Sequence, residues 1–537
     1  MTTYRLLVTD GVDAEGMAVF AATPEFVVDE VPTLPVADLL ARIGDYDAIV
    51  GRSATRISAE VLRRGTRLRV VGRAGVGVDN VDLDVATELG IAVINAPAGN
   101  TVAVAELLFG CLIGLLRQIP RATAGVHAGR WERTKLMGHE LRGRTLGIIG
   151  VGRIGGEVAR RAHAFEMPVV GFDPYIGVDR FAALRVTRMD TLDELLAASD
   201  IITVHTPLTD ETTGMIGRRE LAKLRPTSIV ANLARGGIVD EGALATALRE
   251  GTIAGASVDA FGAEPLAADH PFVGISTLLL TPHIGANTHE AQRNVAVDVC
   301  QSVRDALLKQ ELSRSLNVAA VSGKSWAELQ PTIVLAQRAA AVARALLADR
   351  GLKAISRISV RVAPELEGSG PALLAAAAVG ALEGVMADGR LNLINARSLA
   401  EARGIQLSVN EHAPNVSANG IEVVLGGGMS ELAVAGEAPP GGTARLTRIG
   451  SFHVDVNPKQ TLLILTNHDV PGVIGRVGTL LGDAKVNIAE YHQARLAQGG
   501  EALAAVSVDN AITEEVRQRL LATPDILSAT IVRFRGS

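Results

Sequence analysis

Residues 145–175 read TLGIIGVGRIGGEVARRAHAFEMPVVGFDPY. An apolar run of strand-like composition leads into three glycines, Gly150, Gly152 and Gly155, which are followed by a helical pattern and by a second apolar run that ends at Asp173. This order of strand, G-x-G-x-x-G turn, helix, strand and acidic residue is typical of a dinucleotide-binding unit in a doubly wound parallel sheet.

Each residue of this fingerprint has a physical reason. Gly150 permits the tight turn, Gly152 lets the backbone approach a pyrophosphate, and Gly155 lets the helix pack closely on the strand, while the helix N-terminus offers N–H groups to the anion. Asp173 is expected to accept hydrogen bonds from ribose hydroxyls and to repel a 2′-phosphate, which favours NAD over NADP. The alternative interpretation is that Asp173 is a turn residue before Pro174.

The position of the fingerprint, far from the N-terminus of a chain of 537 residues, predicts an inserted domain. Strands and helices also alternate before it and return to the earlier domain after about residue 290, so we predict two doubly wound parallel α/β domains separated by a cleft. Beyond them an alanine-rich segment and a final strand–helix alternation indicate two more domains. The predicted boundaries are a substrate domain at 1–98 and 291–318, a nucleotide domain at 99–290, a third domain at 319–452 and a fourth at 453–537.

The composition restricts the class of protein. Aromatic residues make up only 3%, so alanine, valine and leucine must fill the cores, and a net charge of −6 argues against nucleic-acid binding. Cys111 and Cys300 both lie in apolar segments and are expected to be buried free thiols, with no disulfide framework and no metal site. The N-terminus runs directly into a strand, and the longest apolar run contains Glu106 and is too short for a bilayer span. We expect a soluble, cytoplasmic protein without a membrane or nucleic-acid partner.

Three polar residues follow predicted strands of the nucleotide domain, namely Arg235, Glu264 and His283. Ligands bind at this edge of doubly wound sheets. An arginine can hold a carboxylate with two N–H groups, a histidine can take a hydroxyl proton near neutral pH, and a carboxylate can orient that histidine. Each has an ordinary alternative, as a surface cap, a loop anion and a turn histidine respectively. Together, after a nucleotide fingerprint, they favour the oxidation of a 2-hydroxy acid.

The segments NLARGGIVDE, DAFGAEP and TPHIGANTHEAQ resemble the D-isomer-specific 2-hydroxyacid dehydrogenase family, as do GIIGVGRIG, HTPLTDETTGMI and GRAGVGVDNVD. The resemblance covers about residues 1–318. More narrowly, it is to the long-form members that oxidise 3-phospho-D-glycerate to 3-phosphohydroxypyruvate with NAD, the first committed step of L-serine biosynthesis. Two other hypotheses remain open, a glyoxylate or hydroxypyruvate reductase and a nucleotide-sensing protein like the family's transcriptional corepressors.

The resemblance implies catalytic roles for Arg235 as carboxylate binder, His283 as acid/base and Glu264 as the partner of His283. It also implies that Asp259 meets the nicotinamide carboxamide. The full set of implied nucleotide contacts, together with the glycines above, is Arg153, Ile154, Asp173, Thr206, Leu233, Arg235, Asp259 and the turn His283–Ala286, which includes Gly285 and Ala286.

A phosphorylated substrate requires cations. Arg52 and Arg73 end strand-like runs beside polar or glycine-rich turns, so we expect them to contact the substrate, and the resemblance agrees. The predicted substrate residues are Arg52, Ser53, Arg73, Gly75 and Gly77. Arg56 and Arg133 are interpreted as solubilising residues. By resemblance, the WER segment at 131–133 lies near a subunit interface.

The segments LTNHDVPGVIGRVGTLL and VNIAEYH resemble an ACT domain, a βαββαβ fold that binds amino acids between paired copies. Asp469, Gly472 and Asn487 are the candidate effector residues, and L-serine is the candidate effector. Asn467 stands where the family often has an aromatic residue or histidine, so feedback by serine is a hypothesis. The third domain resembles the α+β intervening domain of long-form members, which can bind substrate or other anions. The resemblance also implies a homo-oligomer, most simply a tetramer.

Overall fold

The computed structural model describes residues 3–319, 321, 324–352, 354–383, 390–411, 413 and 416–534. Within this part of the chain the strands form four sheets. Two parallel sheets come first and two mixed or antiparallel sheets follow, which confirms the predicted fold class. Residues 384–389, which belong to the alanine-rich segment, lie outside the described residues.

The first sheet is parallel and has the strand order β2-β1-β3-β4-β5, as the flavodoxin-like prediction requires. Leu6 and Val8 point to one face and Leu7 to the other, and each face is covered by its own apolar cluster. The strands and helices of this first unit are β1 (Tyr4–Val8), α1 (Ala14–Ala21), β2 (Phe26–Glu30), α2 (Val36–Arg42), β3 (Ala48–Gly51), α3 (Ala59–Arg64), β4 (Val70–Arg73), α4 (Leu83–Glu88) and β5 (Ala92–Asn95).

Two helices lead into the second unit, α5 (Thr101–Leu116) and α6 (Ile119–His127). They meet at an angle of 63°, and Gln118 between them has a φ of 50°. Pro120 lies in the first turn of α6, where its missing N–H does no harm. The two helices are therefore separated by a sharp break at Gln118.

The second sheet is parallel and has the order β12-β11-β10-β9-β6-β7-β8, with apolar clusters on both faces. The apolar runs in the sequence correspond to every strand of this sheet except β8, which has only two residues. The elements of this second unit are β6 (Leu146–Ile149), α7 (Arg153–Ala164), β7 (Val169–Phe172), α8 (Val178–Leu184), β8 (Thr187–Arg188), α9 (Leu192–Ala198), β9 (Ile201–Val204), α10 (Arg218–Leu221), β10 (Ile229–Asn232), α11 (Glu241–Arg249), β11 (Gly255–Val258) and β12 (Leu278–Leu280).

The chain then returns to the first unit through α12 (His289–Lys309). Thr288 caps this helix by accepting a hydrogen bond from the Ala291 N–H. A Cβ added at Gly16 would lie 2.7 Å from the Cβ of Ala296, so α1 and α12 pack at close range. The nucleotide-binding pattern is thus inserted into the first unit, as predicted, although the boundaries themselves remain predictions.

The third sheet has the order β14-β13-β15-β16-β17-β18 and is antiparallel except for the β13–β14 pair. Its last strand begins at Phe452 and so crosses the predicted boundary at 452/453. The elements of this third unit are α13 (Trp326–Asp349), β13 (Arg357–Val362), α14 (Gly370–Leu382), α15 (Ala396–Ala402), β14 (Gln406–Asn410), β15 (Gly420–Gly427), β16 (Ser430–Glu437), β17 (Arg445–Ile449) and β18 (Phe452–Val456). Short 3-10 helices cover Ile43–Asp45, Arg133–Lys135 and Pro364–Leu366.

Residues 390–395 of the third unit form hydrogen bonds with the first unit. Arg390 donates a hydrogen bond to the Gly65 carbonyl at 2.8 Å, and Asn392 donates to the Gly90 carbonyl at 2.7 Å. Asn395, which is 1% exposed, donates to the carbonyl of Glu88 at 3.3 Å. The last carbonyls of α4 and of the turn after it are therefore satisfied by amide side chains of another unit.

The fourth sheet has the order β20-β21-β19-β22, and its element order βαββαβ is that of the predicted ACT fold. Leu462 and Ile464 join the core of the third unit, whereas Leu463 and Leu465 pack under the two helices of the fourth. The third and fourth units therefore share one continuous core. The elements are β19 (Thr461–His468), α16 (Val473–Asp483), β20 (Ile488–Arg495), β21 (Glu501–Val508), α17 (Glu514–Leu521) and β22 (Ile526–Arg533).

Helix α13 and the bent pair α5–α6 are long and apolar enough to cross a membrane by composition. In the fold, α13 packs against α14 and the strands β15 and β16, and its apolar side chains lie in the shared core. Cys111 and Cys300 are buried, as predicted, and burial raises the pKa of both thiols, that of Cys300 to about 12.

Candidate active site

The three predicted catalytic residues lie on loops that follow adjacent parallel strands, β10, β11 and β12. Parallel strands bring their carboxyl ends to one edge, so Arg235, Glu264 and His283 are carried to the same edge of the sheet. The first two loops touch, because a Cβ at Gly236 would lie 2.0 Å from the carbonyl carbon of Phe261. Only glycine fits at this contact.

His283 and Glu264 form a direct pair. The Nδ1 atom of His283 lies 2.9 Å from both carboxylate oxygens of Glu264, and Glu264 also accepts a hydrogen bond from the Phe261 N–H at 3.0 Å. Because a carboxylate can only accept, Nδ1 must carry the proton in this pair. The neutral imidazole is then left with Nε2 as a proton acceptor, and 46% of the His283 side chain is exposed to solvent.

Asp259 organises the turn that carries His283. It is 1% exposed and accepts hydrogen bonds from the Thr281 hydroxyl at 2.6 Å, the Ile284 N–H at 2.9 Å and the Gly285 N–H at 2.8 Å. Its two oxygens are thus occupied by donors of the chain itself. The expected contact of Asp259 with a nicotinamide carboxamide remains a prediction.

Arg235 is held from two sides. Its Nη1 donates to the Ala234 carbonyl at 2.7 Å, and its Nε lies 3.2 Å from the Oδ2 atom of Asp79 in the first unit. Buried Asn232 donates to the Arg235 carbonyl at 2.8 Å and so shapes the loop. Asp79 and Asn232 were not predicted, although both lie inside segments that carried the family resemblance.

Arg73 and the glycine turn after it face Arg235 across the cleft. A Cβ at Gly77 would lie 2.0 Å from Nη2 of Arg235, and one at Gly75 would overlap the guanidinium of Arg73. Burial, together with repulsion from Arg235, lowers the pKa of Arg73 to about 10. Two cations are therefore concentrated where the sequence predicted an anionic substrate.

Arg52 and Ser53 lie on the loop after β3, and Ser53 is exposed. Asp10, which the sequence reasoning missed, accepts hydrogen bonds from the backbone N–H of Arg52 at 2.8 Å and of Thr55 at 3.0 Å. Burial opposes the charge of Asp10, but hydrogen bonds from Thr55, Thr33 and the backbone outweigh it and keep its pKa below the ordinary value. The loop of Arg52 is therefore held by a half-buried anion.

The glycine fingerprint has the expected geometry. Gly150 has a φ of 91°, and a Cβ at Gly155 would lie 2.1 Å from the Gly150 carbonyl oxygen, so neither position accepts a side chain. A Cβ at Gly152 would meet nothing within 4 Å, which leaves the N-terminus of α7 open to a ligand. Asp173 follows β7 directly and accepts from the Val151 N–H at 2.9 Å.

Of the twelve buried polar atoms that have no hydrogen-bond partner in the described residues, four lie near the carboxyl ends of β4, β5 and β9. Such atoms are uncommon in native structures, so their position at this edge fits a ligand that would satisfy them. Thr206 was predicted as a nucleotide contact, whereas Asn100 and His205 were not. These four atoms are Nε of Arg73, Oδ1 of Asn100, Nδ1 of His205 and Oγ1 of Thr206.

The remaining predicted nucleotide residues border the same edge. Arg153 is exposed and Ile154 half-buried in the first turn of α7, and buried Leu233 follows β10. Ala286 ends the turn that Asp259 holds. The WER segment is exposed, with 83% of Trp131 accessible, and Arg130 and Lys135 both pair with Glu132.

Within one chain the structure separates Asn487 from the other two candidate effector residues, Asp469 and Gly472, which lie together at the N-terminus of α16. Asp469 follows β19 and pairs with Arg495 at 3.0 Å, whereas Asn487 precedes β20 and contacts Asp509. The strand register places them at opposite ends of the sheet, because Thr461 and Ile488 both align with Val508 while His468 aligns with Glu501. A pocket that uses both residues therefore requires two copies of the domain.

Comparison with known proteins agrees with this geometry. Residues 109–285 match the model of the D-isomer specific 2-hydroxyacid dehydrogenase, NAD binding domain, and residues 461–525 match that of the ACT domain. D-3-phosphoglycerate dehydrogenase from Synechocystis is 35% identical over 99% of this chain and 95% of its own length, and that from Bacillus subtilis is 35% identical over 98% and 99%. The chain belongs to the D-3-phosphoglycerate dehydrogenase family.

A solved structure of a glyoxylate reductase from Paecilomyes thermophila has a TM-score of 0.54 and 30% identity, and it covers 59% of this chain and 99% of its own. About three fifths of this chain therefore share the fold of a reductase. The chain is an NAD-binding oxidoreductase.

Proposed function

We propose that this protein oxidises 3-phospho-D-glycerate to 3-phosphohydroxypyruvate with NAD, the first committed step of L-serine biosynthesis. The observation that carries the proposal is the cleft in which Arg73 of the first unit lies beside Arg235, on the sheet edge that also bears the His283–Glu264 pair. A hydroxy acid with two anionic ends is the kind of substrate that this arrangement accommodates.

The proton of the substrate's hydroxyl goes to His283. Its Nε2 is the acceptor, because Nδ1 donates to Glu264. As the imidazolium forms, the carboxylate of Glu264 stabilises the new positive charge. Asp259 contributes by fixing the turn on which His283 stands.

Arg235 holds the substrate carboxylate, and Arg52 and Arg73 hold the phosphate. Planar guanidinium groups match the oxygen geometry of both anions. Ser53, Gly75 and Gly77 line the same side of the cleft; the two glycines leave space beside Arg73 and Arg235. With both ends held, the C2–H bond has a single orientation relative to the nucleotide domain.

The second unit fits NAD, because it offers an open helix N-terminus at Gly152 and an acidic residue at the end of β7. We assign the pyrophosphate to the first turn of α7, with Arg153 and Ile154, and the ribose hydroxyls to Asp173. Bound NAD would accept the hydride from C2. Thr206, Leu233, Asp259 and the His283–Ala286 turn would enclose the nicotinamide half.

The experiment is NADH formation from NAD with 3-phosphoglycerate, D-glycerate and D-lactate in parallel. We expect a kcat/KM for 3-phosphoglycerate at least about a hundredfold above that for the unphosphorylated acids, because two arginines contact the phosphate. Equal rates on glycerate and 3-phosphoglycerate would instead support the reductase hypothesis.

The finer proposals concern regulation and assembly. We propose that L-serine binds between two paired fourth units, with Asp469 and Gly472 from one copy and Asn487 from the other, in a cytoplasmic homotetramer. The support is the ACT family match and the separation of these residues within one chain. Serine at millimolar concentration should lower the rate, and no change would remove this assignment. The domain boundaries at 98/99, 290/291 and 318/319 are likewise proposed and are testable by limited proteolysis, whereas the one at 452/453 falls inside β18.

A further inference from the structure

We propose that Asp79 is a positioning residue that orients the guanidinium of Arg235 for the substrate carboxylate when the first and second units come together. The inference rests on the proposed function, since it concerns the residue that would hold the substrate. It assigns a role to a side chain for which neither the sequence motifs nor the family matches supply one.

Asp79 reaches Arg235 from the opposite side of the cleft. It lies in the loop between β4 and α4 of the first unit, and Arg235 lies in the loop after β10 of the second. The Oδ2 atom of Asp79 is 3.2 Å from Nε of Arg235. The contact therefore joins the two units across the cleft.

The two contacts of Arg235 fix the plane of its guanidinium. Nε faces Asp79, and Nη1 donates to the Ala234 carbonyl at 2.7 Å. The planar group cannot rotate about its long axis without breaking the hydrogen bond to Ala234 or lengthening the ion pair with Asp79. Without Asp79, only the Ala234 carbonyl would remain as an anchor.

The two contacts leave Nη2 of Arg235 free, and this nitrogen is needed to bind the substrate carboxylate. Among the described residues no hydrogen-bond partner is found for Nη2 of Arg235, which lies where a Cβ at Gly77 would be only 2.0 Å away. A carboxylate can be gripped by the end-on pair of Nη1 and Nη2 while Asp79 stays at Nε. Asp79 therefore supports substrate binding and does not compete with it.

The residue after Asp79 strengthens the assignment. Asn80 donates hydrogen bonds to the Arg52 carbonyl at 3.0 Å and to the Thr55 carbonyl at 2.7 Å. The same loop thus holds the Arg52 loop on one side and contacts Arg235 on the other. Two consecutive side chains, Asp79 and Asn80, therefore connect Arg235 with the loop of Arg52.

The test compares Asp79→Ala and Asp79→Asn with wild type in the full-length enzyme. We expect Asp79→Ala to lower kcat/KM for 3-phosphoglycerate by about 30- to 100-fold, since misplacement of an orienting group has effects of this size. Asp79→Asn, which keeps an acceptor but loses the charge, should fall between. The dissociation constant of NADH should stay within about twofold, because Asp79 lies outside the nucleotide unit.

Asp84→Asn is the matched control, because it removes the same charge as Asp79→Asn. Asp84 is an exposed carboxylate in the first turn of the next helix, α4. Its kcat/KM should equal that of wild type. The decisive measurement is a double-mutant cycle with Arg235→Lys. If Asp79 acts through Arg235, Asp79→Ala should cost less than about threefold in the Arg235→Lys background. An equal loss in both backgrounds, or an unchanged kcat/KM in Asp79→Ala, overturns the proposal.

The outcome can be separated from failure of the proposed function. Calorimetric titration of 3-phosphoglycerate and of D-lactate into the enzyme–NADH complex measures carboxylate binding without turnover, and Asp79→Ala should weaken whichever acid the wild type binds by at least about tenfold. A wild type that rejects 3-phosphoglycerate but binds D-lactate refutes the proposed substrate alone. Equal binding of that acid by wild type and Asp79→Ala refutes the role of Asp79 alone.

Discussion

Nδ1 of His283 lies at the same distance, 2.9 Å, from both carboxylate oxygens of Glu264. The two carboxylate oxygens therefore accept symmetrically from the Nδ1–H group. This hydrogen bond fixes the tautomer of the imidazole. The chemistry proposed for the cleft depends on this pair more than on any other contact.

Replacing His283 by alanine removes the proposed proton acceptor. We expect kcat to fall by about 10²- to 10⁴-fold, the usual contribution of general acid–base catalysis. The dissociation constant of NADH, measured by quenching of protein fluorescence, should change little. An unchanged kcat would refute the role of His283.

Glutamine and alanine at position 264 separate the geometry of the pair from its charge. Glu264→Gln can still accept from Nδ1 of His283, so the tautomer is kept and kcat should fall by only about tenfold. Glu264→Ala loses both functions and should fall by about a hundredfold or more. Stopped-flow measurement of the first turnover distinguishes the two, and equal losses would show that the charge alone matters.

Gly152→Ala tests the nucleotide site. The added Cβ meets nothing in the protein, but the backbone of Gly152, with a φ of −72° and a ψ of −142°, lies outside the regions that alanine prefers. The thermal midpoint should therefore drop, and the affinity of the folded variant for NADH should fall by about tenfold or more, because the methyl occupies the space of the pyrophosphate. Gly177→Ala, which also adds a Cβ in open space, is the control and should bind NADH normally.

Asp259→Asn should destabilise the second unit. One amide N–H would then face the N–H of Ile284 or of Gly285, or the Thr281 hydroxyl, in a buried position. An unsatisfied buried donor costs about 1–3 kcal/mol, so the thermal midpoint should drop. Asp240→Asn retains its role as the N-cap of α11 and should leave the midpoint nearly unchanged. A stable Asp259→Asn variant would show that the turn tolerates the exchange.

His205 predicts a pH effect on stability. Its Nε2 contacts the Thr203 hydroxyl at 2.9 Å, and burial lowers its pKa from 6.5 to about 4. Because the unfolded chain binds this proton first, stability is complete above pH 6.5 and is lost as the pH falls toward 4, by at most about 1.4 kcal/mol per pH unit. As the pH is lowered from about 7 to about 5, the thermal midpoint of wild type should therefore fall more than that of His205→Gln. Parallel midpoints across this range would contradict the assignment.

Local patterns predicted most of the fold. The spacing from Gly150 to Asp173 and the apolar runs at the strands are properties of short segments, and the rule that ligands bind at the carboxyl edge converts them into a site. Arg235, Glu264 and His283 could therefore be chosen before any contact was known. Strand β8, with two exposed residues, gives no periodic signal and was missed.

Contacts between distant segments could not be predicted in this way. The pairing of Asp79 with Arg235, and the hold of Asp10 on the Arg52 loop, depend on how the units close and how loops fold back. The separation of Asp469 from Asn487 follows from strand register, which spacing alone does not reveal.

The amide side chains of Asn392 and Asn395 end helix α4 of the first unit, and the loop of Asp79 and Asn80 begins it. A chain shortened after residue 318 would leave those carbonyls to water and would also lose the side chain of Ile394, which is 7% exposed in the core of the first unit. The third unit is therefore not separable from the catalytic units without loss. Its residues 392–395 form part of the structure that supports α4 and the loop of Asp79 and Asn80.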